Sequence, residues 1–348
     1  MKLLKITLPL VLILIVAGLM APHVANAQDP EPEDPLPLTA TGLPPGYTIV
    51  EGDIIARPGQ TRAVSNTNLW PNGIVPFEWD PAVTGVERLQ FAAAMFAWEE
   101  ATDIDFVLRT DETAYVTIIE SEVDNTISYS EVGYQGEQQF IIVGIEHWDN
   151  TYTLVHELGH TLGLRHEHTR IDREDFITVN EGNIDPDFLD LAFGVNRAAL
   201  VYPKSDYESF GLAGPEIYDF QSVMHYGDNN FCIRNASNDC IGDTISVNAP
   251  WTADWQDAIG QRNRLSDLDI LSISFLYQRS NWFFVDSTHS GTESGTFIEP
   301  YDTFQEGVDG TSNGGRLHIQ PGNYAAVGTY SDPMTLDAPL GHVTLGGD

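Results

Sequence analysis

Apolar and polar residues alternate along Gly73-Ile74-Val75-Pro76-Phe77-Glu78-Trp79, the two-residue period of a strand with one buried face. The period then changes. From Val86 to Glu100 the residues Leu89, Ala93, Met95, Phe96 and Trp98 recur at helical spacing and are read as core positions. Phe106-Val107-Leu108, Tyr115 to Ile119 and Gln139 to Val143 predict further strands, and the short gap before residue 151 leaves room only for a loop containing Trp148. Thr151 to Leu164 predicts a helix whose apolar side carries Leu154, Val155, Leu158 and Leu162. Asn150 and Thr151 offer capping oxygens at its start, and Gly163 is a natural stop. Leu265 to Tyr277 predicts a closing helix. Strands and helices in this order define an α+β domain from about Thr61 to Arg279.

The ends have a different texture. Met1-Lys2-Leu3-Leu4-Lys5, an apolar run from Ile6 to Ala21 and Ala25-Asn26-Ala27 form the basic start, apolar middle and small-residue exit of a secretory signal peptide, assigned to residues 1–27. The other reading, a membrane anchor, is disfavoured because the run is short for a span of about 20 residues and ends in a cleavage pattern. Gln28 to Gly46 is rich in Pro, Asp and Glu and is expected to be a flexible leader. Apolar residues return in Tyr47 to Ile55 and break again at Arg57-Pro58-Gly59. Beyond Asn281, glycine-rich turns separate short runs at Leu317 to Ile319, Met334 to Leu336 and Val343 to Leu345. These resemble a coil or two of a β-helix, too few to stand alone, so the tail is expected to pack on the main domain or to be poorly ordered.

Charge narrows the partners. Against 51 acidic residues stand 16 basic ones, 16 − 51 = −35, and the only lysine beyond the signal peptide is Lys204. Nucleic acid and anionic membranes are excluded as partners, and no stable membrane association is expected after signal removal. Cys232 and Cys240 lie eight positions apart in a chain expected to be exported, which permits a local disulfide or two thiols.

The chemistry concentrates in residues 156–168, His-Glu-Leu-Gly-His-Thr-Leu-Gly-Leu-Arg-His-Glu-His. On a helix His156 and His160 stand one turn apart on one face, within reach of one ion. Glu157 sits about 100 degrees round, able to touch a water without displacing the ligands. Gly163 lets the chain reverse and present His166 as a third ligand. Three neutral imidazoles suit Zn²⁺ and leave a coordination position for water, whose pKa the ion lowers to about 7. Glu157 is then the general base, and the expected reaction is peptide-bond hydrolysis with one catalytic zinc ion. His147, His168 and His225 have no place in the pattern and are expected to be surface or packed neighbours.

With Ser222-Val223-Met224-His225-Tyr226 downstream, the motif resembles that of the metzincins. Within them the chain resembles the astacins, through Glu167, Arg170, Asp172 to Asp175, Ile177 to Asn180 and Tyr226, with Leu69-Trp70-Pro71-Asn72-Gly73 and Phe106 to Tyr115 as further landmarks. The resemblance covers about Leu69 to Arg279. It implies a two-lobed catalytic domain with a zinc cleft, here residues 63–280, followed by a β-rich segment at 281–348. It further implies that Met224 lies beneath the metal, that Tyr226 is an additional zinc ligand that swings away to stabilise the oxyanion, and that Glu167 receives the mature N-terminus. Ser130 to Gln139 resembles the region leading into the edge strand on which an extended peptide pairs. Residues 28–62 become a leader and propeptide, in which Asp53 of Glu51-Gly52-Asp53 caps the zinc of a zymogen until an activating protease cuts near Arg62-Ala63. A bland reading makes Tyr47 to Ile55 an N-terminal strand of the catalytic domain. The chain departs from the family in carrying Asp103 where a cysteine is usual and its two cysteines after the methionine turn. Arg234, nearby, is a candidate for attracting acidic side chains, or a plain surface residue.

The expected whole is a secreted enzyme, extracellular or periplasmic, acting on proteins or peptides. A different metzincin class would lack Tyr226 in this role. A non-catalytic zinc-stabilised binding protein would need no base at Glu157, and structural zinc sites are usually closed by four protein ligands.

Overall fold

Strands β3 (Ile74–Trp79), β5 (Val116–Glu120) and β7 (Gln139–Val143) run parallel and adjacent in the computed structural model, close to the bounds the alternation predicts. The structure describes residues 43–58, 69–121, 127–194, 218–277, 281–296, 299–311, 314–326, 330–331, 333–338 and 342–346. The expected signal peptide, most of the leader and the Arg62-Ala63 bond lie outside them. β4 (Asp105–Leu108) extends the sheet on one side, parallel to β3. On the other, β6 (Tyr129–Ser130) pairs antiparallel with β7, β2 (Ile54–Ala56) pairs parallel with β6, and β1 (Thr48–Val50) closes a hairpin on β2. Among the described residues the sheet thus has seven strands, in the order β1-β2-β6-β7-β5-β3-β4. The segment Tyr47 to Ile55 is therefore built into the sheet edge.

Helix α1 (Gly85–Ala101) starts at a reciprocal cap: Thr84 Oγ1 accepts from Glu87 N, and the Glu87 carboxylate accepts from Thr84 N. Its buried face is the expected one only in part: Met95 and Trp98 are core as the spacing predicts, whereas Leu89 and Phe96 are not. Phe91, Ala94, Met95 and Trp98 face inward, while Leu89 is 74% and Phe96 60% exposed. The Trp98 indole ties this face to helix α2 (Thr151–Thr161) by donating to Val155 O at 3.0 Å. Both helices share one core with Val75, Val116, Ile118 and Ile141 of the sheet.

A second core gathers Phe176, Ile184, Phe193, Tyr218, Phe220 and Ile259 around the antiparallel pair β8 (Ile177–Val179) and β9 (Ile245–Val247), with the short helices α3 (Leu189–Phe193) and α4 (Thr252–Trp255) beside it. The two cores are the two lobes expected. Helix α5 (Asp267–Leu276) spans the predicted closing element, capped by Ser266, and its Tyr277 hydroxyl donates to Leu162 O at 2.8 Å.

In the tail, β10 (Trp282–Val285), β11 (Arg316–Ile319) and β13 (Thr335–Asp337) stack in parallel, as do β12 (Gly322–Tyr324) and β14 (Val343–Leu345). The short runs at Leu317 to Ile319 and Val343 to Leu345 are thus strands in parallel register. Helix α6 (Phe304–Gly310) was not foreseen; its Phe304 fills the small core with Val285, Leu317, Ile319 and Tyr324. The tail touches the main domain through Arg316. Arg316 donates to Ala101 O at 3.0 Å and Glu100 O at 3.3 Å, placing a cation on the carbonyl end of α1.

Candidate active site

Helix α2 begins at Asn150, whose side chain accepts from Thr153 N, and ends where Gly163 takes φ 108°. Leu164 N then bonds back to Gly159 O at 2.9 Å, and the reversed chain carries His166 toward His156 and His160. The three rings lie 4.6 to 5.3 Å apart, centre to centre. His156 Nδ1 donates to Val223 O at 2.7 Å and His160 Nδ1 to Leu164 O at 2.9 Å. Each backbone carbonyl fixes the tautomer, leaving Nε2 with its lone pair turned to the centre.

The side chain at that centre is Asp53. Its Oδ2 lies 3.2 Å from His156 Nε2, and its Oδ1 lies 2.9 Å from His166 Nε2 and 3.5 Å from His160 Nε2. These four residues present ligand atoms close enough together for one metal ion. Among the described residues, His160 Nε2, His166 Nε2 and Asp53 Oδ1 are buried without a hydrogen-bond partner. Buried acceptors left in this way are what a cation satisfies, and a three-imidazole, one-carboxylate set suits zinc. Burial holds His156 down to about 3 and lowers His160, so both imidazoles are neutral. Burial also opposes charge on His166, yet Asp53 and Glu51 beside it raise its pKa to about 9: the carboxylates draw positive charge to this point.

Asp53 is delivered by the β1–β2 hairpin. Glu51 and Gly52 both take positive φ, 52° and 86°, and a Cβ on Gly52 would collide with the Tyr226 hydroxyl. Ser130 N donates to Asp53 O at 3.1 Å. Glu51 binds Arg165 Nη1 at 2.5 Å, and its carbonyl accepts from Tyr226 Oη at 2.7 Å. The predicted residues Asp53, His156, His160, His166 and Tyr226 thus meet in one place, with the Tyr226 hydroxyl turned to the hairpin.

Glu157 is buried next to them and accepts from Ser130 Oγ at 2.8 Å; burial first, then the Asp53 charge, raises its pKa well above the ordinary range. Met224 packs against Gly159 of the helix that carries His156 and His160, where a Cβ would come within 2.6 Å of its sulfur. Its turn is held by Asp269 of α5, which accepts from Ser222 Oγ at 2.6 Å and Val223 N at 2.8 Å. Glu167 is partly buried, with Oε1 accepting from Arg170 Nη1 at 2.5 Å and Asp219 N at 3.0 Å.

Three readings left open by the sequence are decided by contacts. His168 is not a surface residue: it is fully buried, donates from Nε2 to Ala192 O and stacks on Tyr226 with ring centres 4.0 Å apart. Cys232 and Cys240 form a disulfide, Cα to Cα 5.5 Å. Arg234, inside that loop, donates to Asn238 O at 2.7 Å, an exposed local contact. His225 is a packed neighbour, bonded to Tyr218 Oη and Tyr226 O. Sequence reasoning gave no role of their own to Ser130, Glu51, Arg165 and Asp269, although Ser130 opens the region likened to the edge strand and Glu51 stands beside Gly52-Asp53.

A histidine-lined metal cleft between a mixed sheet and a smaller lobe is the architecture of a metzincin peptidase. The model of the astacin peptidase family matches residues 62–278, and the chain belongs to that family of zinc metalloendopeptidases. Bone morphogenetic protein 1 of Xenopus laevis is 36% identical over 211 residues, 60% of this chain and 27% of that one. Tolloid-like protein 1 of Homo sapiens is 36% identical over 218 residues, 62% of this chain and 19% of the relative. The chain thus spans less than a third of either. High choriolytic enzyme 1 of the medaka Oryzias latipes is 32% identical over 66% of this chain and 77% of its own. The solved structure of that hatching-enzyme zinc protease aligns with a TM-score of 0.50, at 30% identity, over 62% of this chain and 98% of that one.

Proposed function

We propose that the chain is a secreted zinc endopeptidase made as a latent precursor, in which residues 28–62 form the leader and inhibitory arm and residues 63–280 the catalytic domain. The observation that carries this reading is the Asp53 carboxylate lying within 3.5 Å of all three histidine Nε2 atoms. His156, His160 and His166 would hold the ion, with Asp53 as the fourth ligand while the arm is docked. A bound zinc ion supplies the Lewis acidity that polarises a peptide carbonyl and acidifies water.

The remaining steps belong to the chain. Docked, the arm fills the cleft and denies water its place, and Glu51 keeps Tyr226 engaged. Cleavage near Arg62-Ala63 by an activating protease frees the arm, and the new ammonium at Ala63 pairs with Glu167. Departure of Asp53 removes a neighbouring charge that holds the Glu157 pKa up. Glu157, steadied by Ser130 Oγ, then takes a proton from the attacking water and passes it to the leaving amine. Tyr226, released from Glu51 O, donates to the oxygen on which negative charge develops. Met224 supports the ligand histidines from below, and the Cys232–Cys240 bridge braces the loop after it. Secretion rests on the pattern in residues 1–27; among the described residues no helix is long and apolar enough to cross a membrane.

The test compares intact wild-type chain with Asp53→Ala before any processing. The variant is expected to cleave casein, with loss of activity on chelation, while the wild type stays silent until cut. Equal rates for intact and processed wild type would refute the latency mechanism.

A further inference from the structure

Arg57, just past the end of β2, sinks its guanidinium into the rim of the cleft. Its Nε donates to Glu131 Oε1 at 2.7 Å and its Nη1 to Glu137 Oε1 at 2.5 Å, while Nη2 reaches Glu131 Oε2 at 3.4 Å and the Gln138 carbonyl. The Tyr47 ring lies 5.8 Å away. Glu131 is built into the fold: its side chain is 1% exposed, and its Oε2 accepts from Phe140 N of β7 at 2.9 Å. It also directly follows Ser130, which holds both Glu157 and the Asp53 backbone, so this acidic recess is continuous with the catalytic cleft.

The occupant, Arg57, belongs to a segment that leaves. Once the arm is cut away, Glu131 remains fixed to the sheet by Phe140 N and loses its cation, a costly state for a carboxylate in a recess. An extended peptide added to the vacated edge of β6 carries its side chains past the same points. Only a cationic one restores the pairing, and the fork of an arginine matches two carboxylates and a carbonyl better than a lysine does.

We propose that Glu131 and Glu137, with the Gln138 carbonyl, form a substrate subsite that selects an arginine or lysine side chain, with Arg57 as its resident mimic. This rests on the peptidase reading given above. Asp53 and Arg57 are four residues apart, about 13 Å along a strand, which sets the subsite three to four residues from the bond that is cut. A chain of net charge −35 attracts basic peptides everywhere; the subsite differs in acting at one position.

The experiment uses the full chain, zinc-loaded and cut near Arg62-Ala63, with neutral dodecapeptides in which a single arginine is walked through successive positions. The expected profile is a peak of about 10- to 100-fold in kcat/KM, expressed mainly in KM, at one position three to four residues from the cut bond. Glu131→Gln, which keeps an oxygen for Phe140 N, should flatten that peak, and Glu137→Gln on the exposed rim should reduce it. A flat wild-type profile overturns the proposal, as does a peak untouched by either substitution. Binding of the same peptides, read by fluorescence anisotropy, separates the two claims. A positional peak in binding without any cleavage supports the subsite while the peptidase reading fails, and a flat binding profile sinks the subsite.

Discussion

The phenol of Tyr226 donates to the main-chain oxygen of Glu51 at 2.7 Å, joining the methionine turn to the N-terminal hairpin across 175 residues. Burial, with Asp53 and Glu51 adding to it, raises the Tyr226 pKa well above its usual value, so the group is a donor at any ordinary pH. On the proposed mechanism one hydroxyl serves two states in turn, the docked hairpin and the developing oxyanion. Tyr226→Phe leaves a buried carbonyl without its donor, which costs about 1–3 kcal/mol of hairpin docking. In the processed enzyme the same change should lower kcat by about 10²-fold and leave KM nearly unchanged. Steady-state kinetics before and after processing check both; an unchanged kcat would return Tyr226 to a packing role.

Glu157→Gln preserves shape and the contact with Ser130 while removing the base. Zinc content, by metal analysis, should match wild type, and turnover of the processed chain should fall by about 10² to 10⁴-fold. Ordinary turnover in a zinc-replete variant would remove Glu157 from the mechanism.

The candidate metal ligands are legible because their geometry is local: two histidines one helical turn apart, a glycine that reverses the chain, and a third histidine six residues on. Asp53 was legible only through family resemblance, since nothing in its neighbours forces residue 53 toward residues 156–166. The contacts of Arg57 with Glu131 and of Trp98 with Val155 span 74 and 57 residues and leave no periodic trace. For the same reason the inward face of α1 is legible only in part: Met95 and Trp98 are core as expected, but Leu89 and Phe96 fit a helical stripe as well as Phe91 and Ala94 do, and only the position of α2 decides between them. Which of its two readings, surface or packed neighbour, holds for His168 is likewise invisible in the sequence, because its burial depends on Tyr226 and Ala192, residues far along the chain.

Gly159 lies between two zinc-ligating candidates, and a Cβ there would sit 2.6 Å from Met224 Sδ and 3.5 Å from Trp98 Cζ2. Gly159→Ala must push the methionine or the helix, an overpacking cost of about 1–3 kcal/mol. Thermal unfolding should show a lowered midpoint and zinc affinity should fall, whereas Gly85→Ala, with nothing within 4 Å of its Cβ, serves as the control. A Gly159→Ala protein as stable as wild type would mean that Met224 is free to move and is no fixed floor.

His318 connects the tail's stability to pH. It is buried on β11, stacked on Phe284 with ring centres 4.9 Å apart and 5.0 Å from Trp282, and burial, then Arg316 on the same strand, lowers its pKa to about 3. The unfolded tail takes up a proton near pH 6.5, whereas the folded one resists until about 3. Between those values the unfolded state binds more protons, so stability rises with pH and is lost as pH falls below about 6.5. At pH 5 the loss has an upper bound of about 2 kcal/mol. Hydrogen exchange of β10 and β11 should therefore speed up from pH 7 to pH 5, after correction for intrinsic rates, more than that of β5 and β7. His318→Gln should remove most of that difference. A tail whose corrected protection is the same at both pH values would show that the imidazole is hydrated in the fold and carries no penalty.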